Sequence, residues 1–275
     1  MVLNRLGKMV KKIDKNELTM YMVTHKSVNF VPAGRTPIFV GGGDNKNNYL
    51  RDNTGDNIAE KNPHFCELTA MYWIWKNDKS SKYVSIEHYR RFFMDPAAII
   101  PKVCTPEKII SFLEEEKIVL PDIVTNTISI KEYYQTYHSK EDYENTAQII
   151  HNIYPEYSKD FQTVMLGKSS FGLNMMVVPK PVFDKYCEWL FTILFKLEDI
   201  TDLSNRSKYQ QRAYGFMSER LEYVWLLHNG FNLARIKQLP IYSVVEGKKI
   251  YSILKSMKHR LNKKPYDPTK YPVPK

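Results

Sequence analysis

Two adjacent arginines at the end of a short β-type run are the sharpest chemical feature of this sequence: Tyr83-Val84-Ser85-Ile86 leads into Glu87-His88-Tyr89-Arg90-Arg91. Each guanidinium presents a planar fork of N–H donors, and two of them at a strand end suit a diphosphate. Upstream, Asp52-Asn53-Thr54-Gly55-Asp56-Asn57-Ile58 gathers residue types that turn sharply and offer side-chain oxygens and amides. Thr24-His25-Lys26 follows the apolar run Leu18–Val23. In nucleotide-binding α/β folds ligands gather at the carboxyl ends of strands, so these three residues face a nucleotide, or else Lys26 is simply a solvated loop residue. Groups able to take a proton are Asp122, after the run Ile118–Pro121, then His138 and Glu219. Tyr133, Tyr134, Tyr137 and Tyr143 supply aromatic faces and hydroxyls that suit a sugar, or a tyrosine-rich surface helix. Ser218 also reads as a helix N-cap with Glu219 in the first turn, a structural role for both.

The motifs Asp-Asn-Thr-Gly-Asp-Asn-Ile from Asp52, Asn-x-x-x-Cys-Glu-Leu-Thr-Ala-x-Tyr-Trp-x-Trp-Lys-Asn from Asn62, and His-Tyr-Arg-Arg-x-Phe from His88 carry a family likeness. Together they resemble an uncharacterised-domain family of bacterial glycosyltransferases found in capsular-polysaccharide, exopolysaccharide and O-antigen clusters. The likeness runs from Met20 to Val245, with Gly-Phe-x-Ser-Glu-Arg from Gly215 as a second signature. It implies a GT-A-like fold and transfer of a sugar from a nucleotide-diphosphate donor. The implied donor is UDP-linked galactose or galactofuranose, and the acceptor is a hydroxyl of a growing, lipid-linked surface polysaccharide. Expected at the donor are Thr24, His25, Lys26, Asp52, Asp56, Asn57, Asn62, Glu67, His88, Tyr89, Arg90 and Arg91, and at the acceptor Tyr133, Tyr137 and Asn174. Glu219 is the preferred acceptor base, because its surroundings recur in the family, followed by His138 and Asp122. Many GT-A enzymes hold Mn or Mg with Asp-x-Asp after a core strand. The corresponding strand here ends in Glu87-His88-Tyr89-Arg90-Arg91, so either Arg90 and Arg91 replace the metal's charge or His88 with a carboxylate still binds one. No metal ligand is assigned and no cofactor is required. A catalytically silent nucleotide-sugar or glycan-binding module would share these residues apart from a working base.

The chain has 275 residues with 40 basic and 30 acidic side chains, a net charge of +10 that favours anionic partners such as phosphorylated substrates or anionic lipid. Nucleic acid is not expected, since no helix-turn-helix, RNP or zinc pattern accompanies the charge. Cys66, Cys104 and Cys187 are odd in number and lack metal-type spacing, which suits a reducing cytoplasm. No apolar run approaches the ~20 residues of a membrane span.

Elements that would position these groups follow from periodicity. Strands are expected over 18–23, 37–40, 83–86, 118–121 and 173–178. Helices are expected over 67–76 (opened by Asn62-Pro63), after Thr105, over 184–197, and from Ser218 through Leu227. This alternation predicts a single α/β domain of GT-A type over 18–247, with a mostly parallel central sheet flanked by helices. Trp73 and Trp75 read as core or interface aromatics. Basic amphipathic segments bracket the domain at 1–17 and 248–275. In the second, Ile250, Tyr251, Ile253, Leu254, Met257 and Leu261 form an apolar stripe beside Lys248, Lys249, Lys255, Lys258, Arg260, Lys263 and Lys264. Such a helix either packs on the body or rests on the anionic inner face of the cell membrane.

Overall fold

The computed structural model describes residues 12–115, 117–261 and 264–267. The amphipathic N-terminal segment therefore lies outside the described residues up to Lys11. In chain order the elements are β1 (Leu18–Thr24), β2 (Arg35–Phe39), β3 (Leu50–Arg51), α1 (Asn62–Phe65), α2 (Leu68–Asn77), β4 (Tyr83–His88) and β5 (Arg91–Phe93). There follow α3 (Pro106–Glu114), β6 (Ile118–Pro121), β7 (Val124–Thr125), α4 (Ile130–Tyr137), α5 (Lys140–Ile153), α6 (Ser158–Leu166), β8 (Ser169–Ser170) and β9 (Met176–Pro179). The chain continues through α7 (Lys180–Ile200), α8 (Ala213–His228), β10 (Ile236–Leu239), β11 (Ile241–Ser243) and α9 (Lys249–Leu261).

The central sheet runs β10-β6-β9-β4-β1-β2-β3, with β5 and β11 attached beside β4. β1 pairs in parallel with β2 and β4, and β10 with β6. β9 is antiparallel to both β4 and β6, so those two point the same way. The carboxyl ends of β1, β2, β4, β6 and β10 consequently share one edge of the sheet. Val23 pairs with His88, which puts the two polar strand ends expected to meet a nucleotide side by side.

Side chains alternate across the sheet because the strand period is two. Tyr21, Val23, Val84, Ile86, Ile118, Leu120, Met176 and Val178 face one core, where they meet Leu68, Met71 and Ile74 of α2 and the apolar stripes of α7 and α8. Met20, Val119 and Val177 face the other side, against Ile109, Ile110 and Leu113 of α3. Trp75 stacks on Phe191 of α7 with ring centroids 5.8 Å apart, and Trp73 donates to the Thr54 carbonyl at 2.9 Å. Both tryptophans therefore hold elements together. Burial pushes the wholly enclosed carboxyl of Glu222 on α8 well above its usual range, so it sits in the core as a neutral acid.

Three local expectations change. The helix opened by Asn62-Pro63 is two helices, because Cys66 takes φ +53 and ψ −127 between them. The Asn62 amide and the Thr69 hydroxyl both donate to the Cys66 carbonyl, at 2.8 and 3.1 Å, and stabilise the break. The strand expected over 173–178 begins only at Met176, since Leu173 and Asn174 lie in the left-handed region at φ +76 and +48. Ser218 is not an N-cap: α8 starts at Ala213, and Ser218 and Glu219 lie inside it.

Candidate active site

Glu87 ends β4 where an Asp-x-Asp metal motif would stand, yet its carboxylate turns into the sheet. Arg35 on β2 grips it through Nε at 2.7 Å and Nη2 at 3.3 Å, and the Phe93 amide donates to it at 2.8 Å. Both side chains are excluded from solvent, and breaking such a buried pair typically costs about 3–5 kcal/mol. Glu87 thus braces the strands that carry the site. Among the described residues, no three His, Cys, Asp or Glu side chains gather as a metal-ligand set.

Beyond Glu87 the chain turns through Tyr89, and positive charge collects on its ring. The Arg90 guanidinium stacks 4.8 Å from the Tyr89 centroid, the His25 ring meets it edge-on at 5.3 Å, and Lys26 Nζ lies 5.4 Å away. Lys26 also pairs with Glu246 at 2.7 Å. Desolvation first, then the charges of Arg90, Lys26 and Arg212, hold the His25 imidazole below its usual pKa. Arg212 is therefore part of this cationic rim, although it comes from the start of α8. Arg91 is not: its charge is felt by His259 on α9, together with Lys255 and Lys258. Arg90 lies in the turn after β4 whereas Arg91 opens β5, which is why the neighbouring arginines part company.

Arg212 links the rim to a second cluster. Its Nε donates to Cys66 Sγ at 3.1 Å, and burial and then Glu67 push the Cys66 thiol up to about 11, so the sulfur stays a neutral thiol. Glu67 is next in the chain, at the N-terminus of α2. Asn174 Nδ2 donates to Glu67 Oε1 at 2.7 Å, while Ser218 Oγ lies 3.0 Å from Asn174 Oδ1 and 2.8 Å from the Gly215 carbonyl. Asn174 and Ser218 are fully buried, so this chain fixes the Glu67 carboxylate from the protein interior. Leu173 is pinned from both ends: His88 Nε2 donates to its carbonyl at 2.5 Å, and its amide donates to Glu219 Oε1 at 3.3 Å. The other Glu219 oxygen accepts from Arg220 at 2.7 Å. Two consecutive non-glycine residues at positive φ are costly, and such strain persists where surrounding contacts over-determine the backbone, as they do here.

The remaining sequence candidates divide. Thr24 is buried, with its hydroxyl bound to the Lys26 carbonyl at 2.6 Å, so it shapes the turn. Asp52 is buried beside Thr69, its pKa raised by desolvation, and among the described residues its Oδ2 has no partner. Asn62 sits under the Gly41 turn, where an added Cβ would meet its Oδ1 at 2.7 Å with φ already at +75. Asp56 and Asn57 lie elsewhere. Asn77, at the far end of α2, accepts from the Asp56 amide at 3.1 Å, and Tyr72 donates to the Asp56 carboxylate at 3.1 Å. That end stands roughly 15 Å from Glu67 at 1.5 Å rise per residue. Asp122 follows the end of β6, a strand about 10 Å across the sheet from β4 at two strand spacings.

Tyr133 flanks the carboxylates, with Arg220 5.5 Å over its ring, and Tyr137 packs on it at 5.2 Å. His138 packs on Phe216 at 4.3 Å and Tyr134 at 5.0 Å, with Nδ1 3.3 Å from Gln210 Oε1. Desolvation and then Arg220 lower its pKa to about 3, so the imidazole is neutral at working pH. Unfolded, it protonates below about 6.5. The stability it contributes is therefore complete above that value and drains as pH falls towards 3. The ring-proton chemical shift of His138 should stay at its neutral position down to pH 5, and His138→Gln should flatten the acid side of the melting curve. Titration of the ring near pH 6.5 would contradict this enclosure.

Sequence reasoning missed Arg212 and placed Glu67 only among donor contacts. A signal existed for both: Arg212 lies three residues before the Gly-Phe-x-Ser-Glu-Arg segment, and Cys66-Glu67 belongs to the longest motif.

The apo structure of the WbbM bifunctional glycosyltransferase superposes with a TM-score of 0.70 at 29% sequence identity, covering 84% of this chain and 46% of that one. The chain thus spans less than half the length of that two-activity protein. No curated protein matches it. A family model, the domain of unknown function DUF4422, matches residues 19–230, and the chain belongs to that family.

Proposed function

We propose that this chain transfers a hexosyl unit from a UDP-linked donor, galactose or galactofuranose, to a hydroxyl of a growing, lipid-linked surface polysaccharide. One observation carries the reading: Lys26, Arg90 and the His25 imidazole gather on the Tyr89 ring beyond β4, and Arg212 bonds Cys66 next to Glu67, whose partner Asn174 adjoins the Leu173 amide held by Glu219. The donor diphosphate lies along the cations, with the nucleoside towards Thr24, Asp52 and the Gly41 turn. The sugar then sits over Glu67, which Asn174 holds from beneath, and the acceptor enters past Tyr133 and Tyr137.

In this arrangement the base removes the acceptor proton as its oxygen bonds to the anomeric carbon. The bond from that carbon to the diphosphate oxygen breaks, and UDP leaves with its new charge against Arg90 and Arg212. We assign the base to Glu67. Both Glu219 oxygens are engaged, by Leu173 and Arg220, whereas Asn174 holds only one oxygen of Glu67 and orients the other. Glu219 then positions Leu173 and, through it, Asn174.

The test is a screen of UDP, GDP, CDP and dTDP sugars for nucleotide release, with and without lipid-linked acceptor. Release that depends on acceptor, from UDP-hexoses above the others, is expected. Because arginines take the place of a divalent ion, turnover in EDTA should stay within about twofold of turnover with added Mn or Mg. Binding of UDP-sugar without any release would identify a silent binding module instead.

A further inference from the structure

We infer that α9 is a docking surface for an anionic lipid membrane, an inference independent of the transfer reaction. Surface helices normally bury their apolar stripe and expose their polar one. α9 is mounted the other way round. Its inner face is Ser252 and Ser256, both buried, with Ile253 half-buried beside them against Tyr242 and its neighbours. The Ser243 and Val245 amides donate to Ser256 Oγ and Ser252 Oγ, each at 2.8 Å, so hydrogen bonds tie the helix to β11 and the turn after it. At its far end Arg260 Nη1 donates to the Ala98 carbonyl at 2.8 Å.

The outer face carries the large apolar residues. Ile250 is 72% exposed, Tyr251 62%, Leu254 56% and Leu261 70%. With 3.6 residues per turn, Ile250, Leu254, Lys258 and Leu261 fall along one stripe with Tyr251 beside it. The loop held by Arg260 adds Ile99 and Ile100, 88% and 64% exposed. Exposed large apolar side chains gathered along one helix mark an interaction site.

Charge selects the occupant. No Asp or Glu occurs from Gly247 to Tyr266, while Lys249, Lys255 and Lys258 are exposed on the helix and Arg91 stands close to His259. An apolar stripe edged only by cations, on a helix lying flat against the protein, matches the interface of an anionic bilayer, where apolar side chains enter the acyl boundary and lysines meet lipid phosphates. No helix among the described residues is long and apolar enough to cross a membrane, so the contact is peripheral.

The experiment is co-sedimentation of the full chain with vesicles of phosphatidylcholine alone or mixed with phosphatidylglycerol, at low and high salt. The chain should pellet at least tenfold more with the anionic vesicles and be released by salt. Leu254→Ser with Leu261→Ser, and separately Lys255→Glu with Lys258→Glu, should each lower pelleting about tenfold without changing the melting temperature. Should the serine variant unfold, the charge variant still decides. Equal pelleting on both vesicle types, wild-type binding by the charge variant, or a salt-insensitive dimer in solution abolished by Leu254→Ser with Leu261→Ser would overturn the inference. The last outcome would assign the face to a second copy of the chain.

Discussion

Glu67→Gln should fold and bind donor like the wild type while losing about 100- to 10,000-fold in turnover, the usual cost of removing a general base. The amide is isosteric, and its oxygen still accepts from Asn174, whose hold at 2.7 Å orients the side chain. Only the capacity to take the acceptor proton is gone. Glu219→Gln keeps the acceptor for the Leu173 amide and loses the ion pair to Arg220, so it should cost less than about tenfold, within the usual worth of an ion pair near the surface. Steady-state UDP release by the two variants separates the roles. A large loss in Glu219→Gln with near-normal Glu67→Gln would move the base to Glu219. Asn174→Ala should lower turnover with little change in donor affinity, as expected of a residue acting through Glu67.

The second large effect lies on the donor side. Arg212→Ala should weaken UDP binding by about ten- to a hundredfold, from the roughly 1.5–3 kcal/mol of a charge-assisted hydrogen bond. Arg90→Ala should do the same. Arg91→Ala should leave UDP binding unchanged, because Arg91 lies on β5 opposite Ser243, whose amide bonds Ser256 of α9. Calorimetric titration with UDP measures all three. Wild-type affinity in both Arg212→Ala and Arg90→Ala would remove the diphosphate from the cationic rim.

Much of this was legible in the residues, for physical reasons that differ from place to place. The runs Leu18–Val23 and Tyr83–Ile86 are short, apolar and bounded by polar residues, and they form neighbouring parallel strands whose ends meet. The stripe Tyr186, Leu190, Ile193, Leu194 has helical spacing, and α7 buries all four. The site was harder to read because its geometry depends on backbone that departs from any repeating pattern. Asn174 is of a type that tolerates positive φ, but nothing in Cys66 and Leu173 announces it, yet these three residues break two expected elements and bring Glu67 to Asn174. Likewise, Arg90 and Arg91 look equivalent in a string, yet one lies in the turn after β4 and the other opens β5. Asp56 and Asn57 belong to the same motif as Asp52, but the loop carries them to the far end of α2. The C-terminal stripe was visible as amphipathic; which face it buries was decided by two serines bonding to backbone amides.

The most direct test of the central claim is mass spectrometry of a lipid-linked acceptor incubated with the full chain and UDP-galactose or UDP-galactofuranose, with UDP quantified in the same reaction. The account predicts an acceptor heavier by one hexosyl unit, one UDP formed per unit transferred, and loss of both signals in Glu67→Gln. UDP-sugar bound by the protein while the acceptor mass stays unchanged with both donors would contradict it.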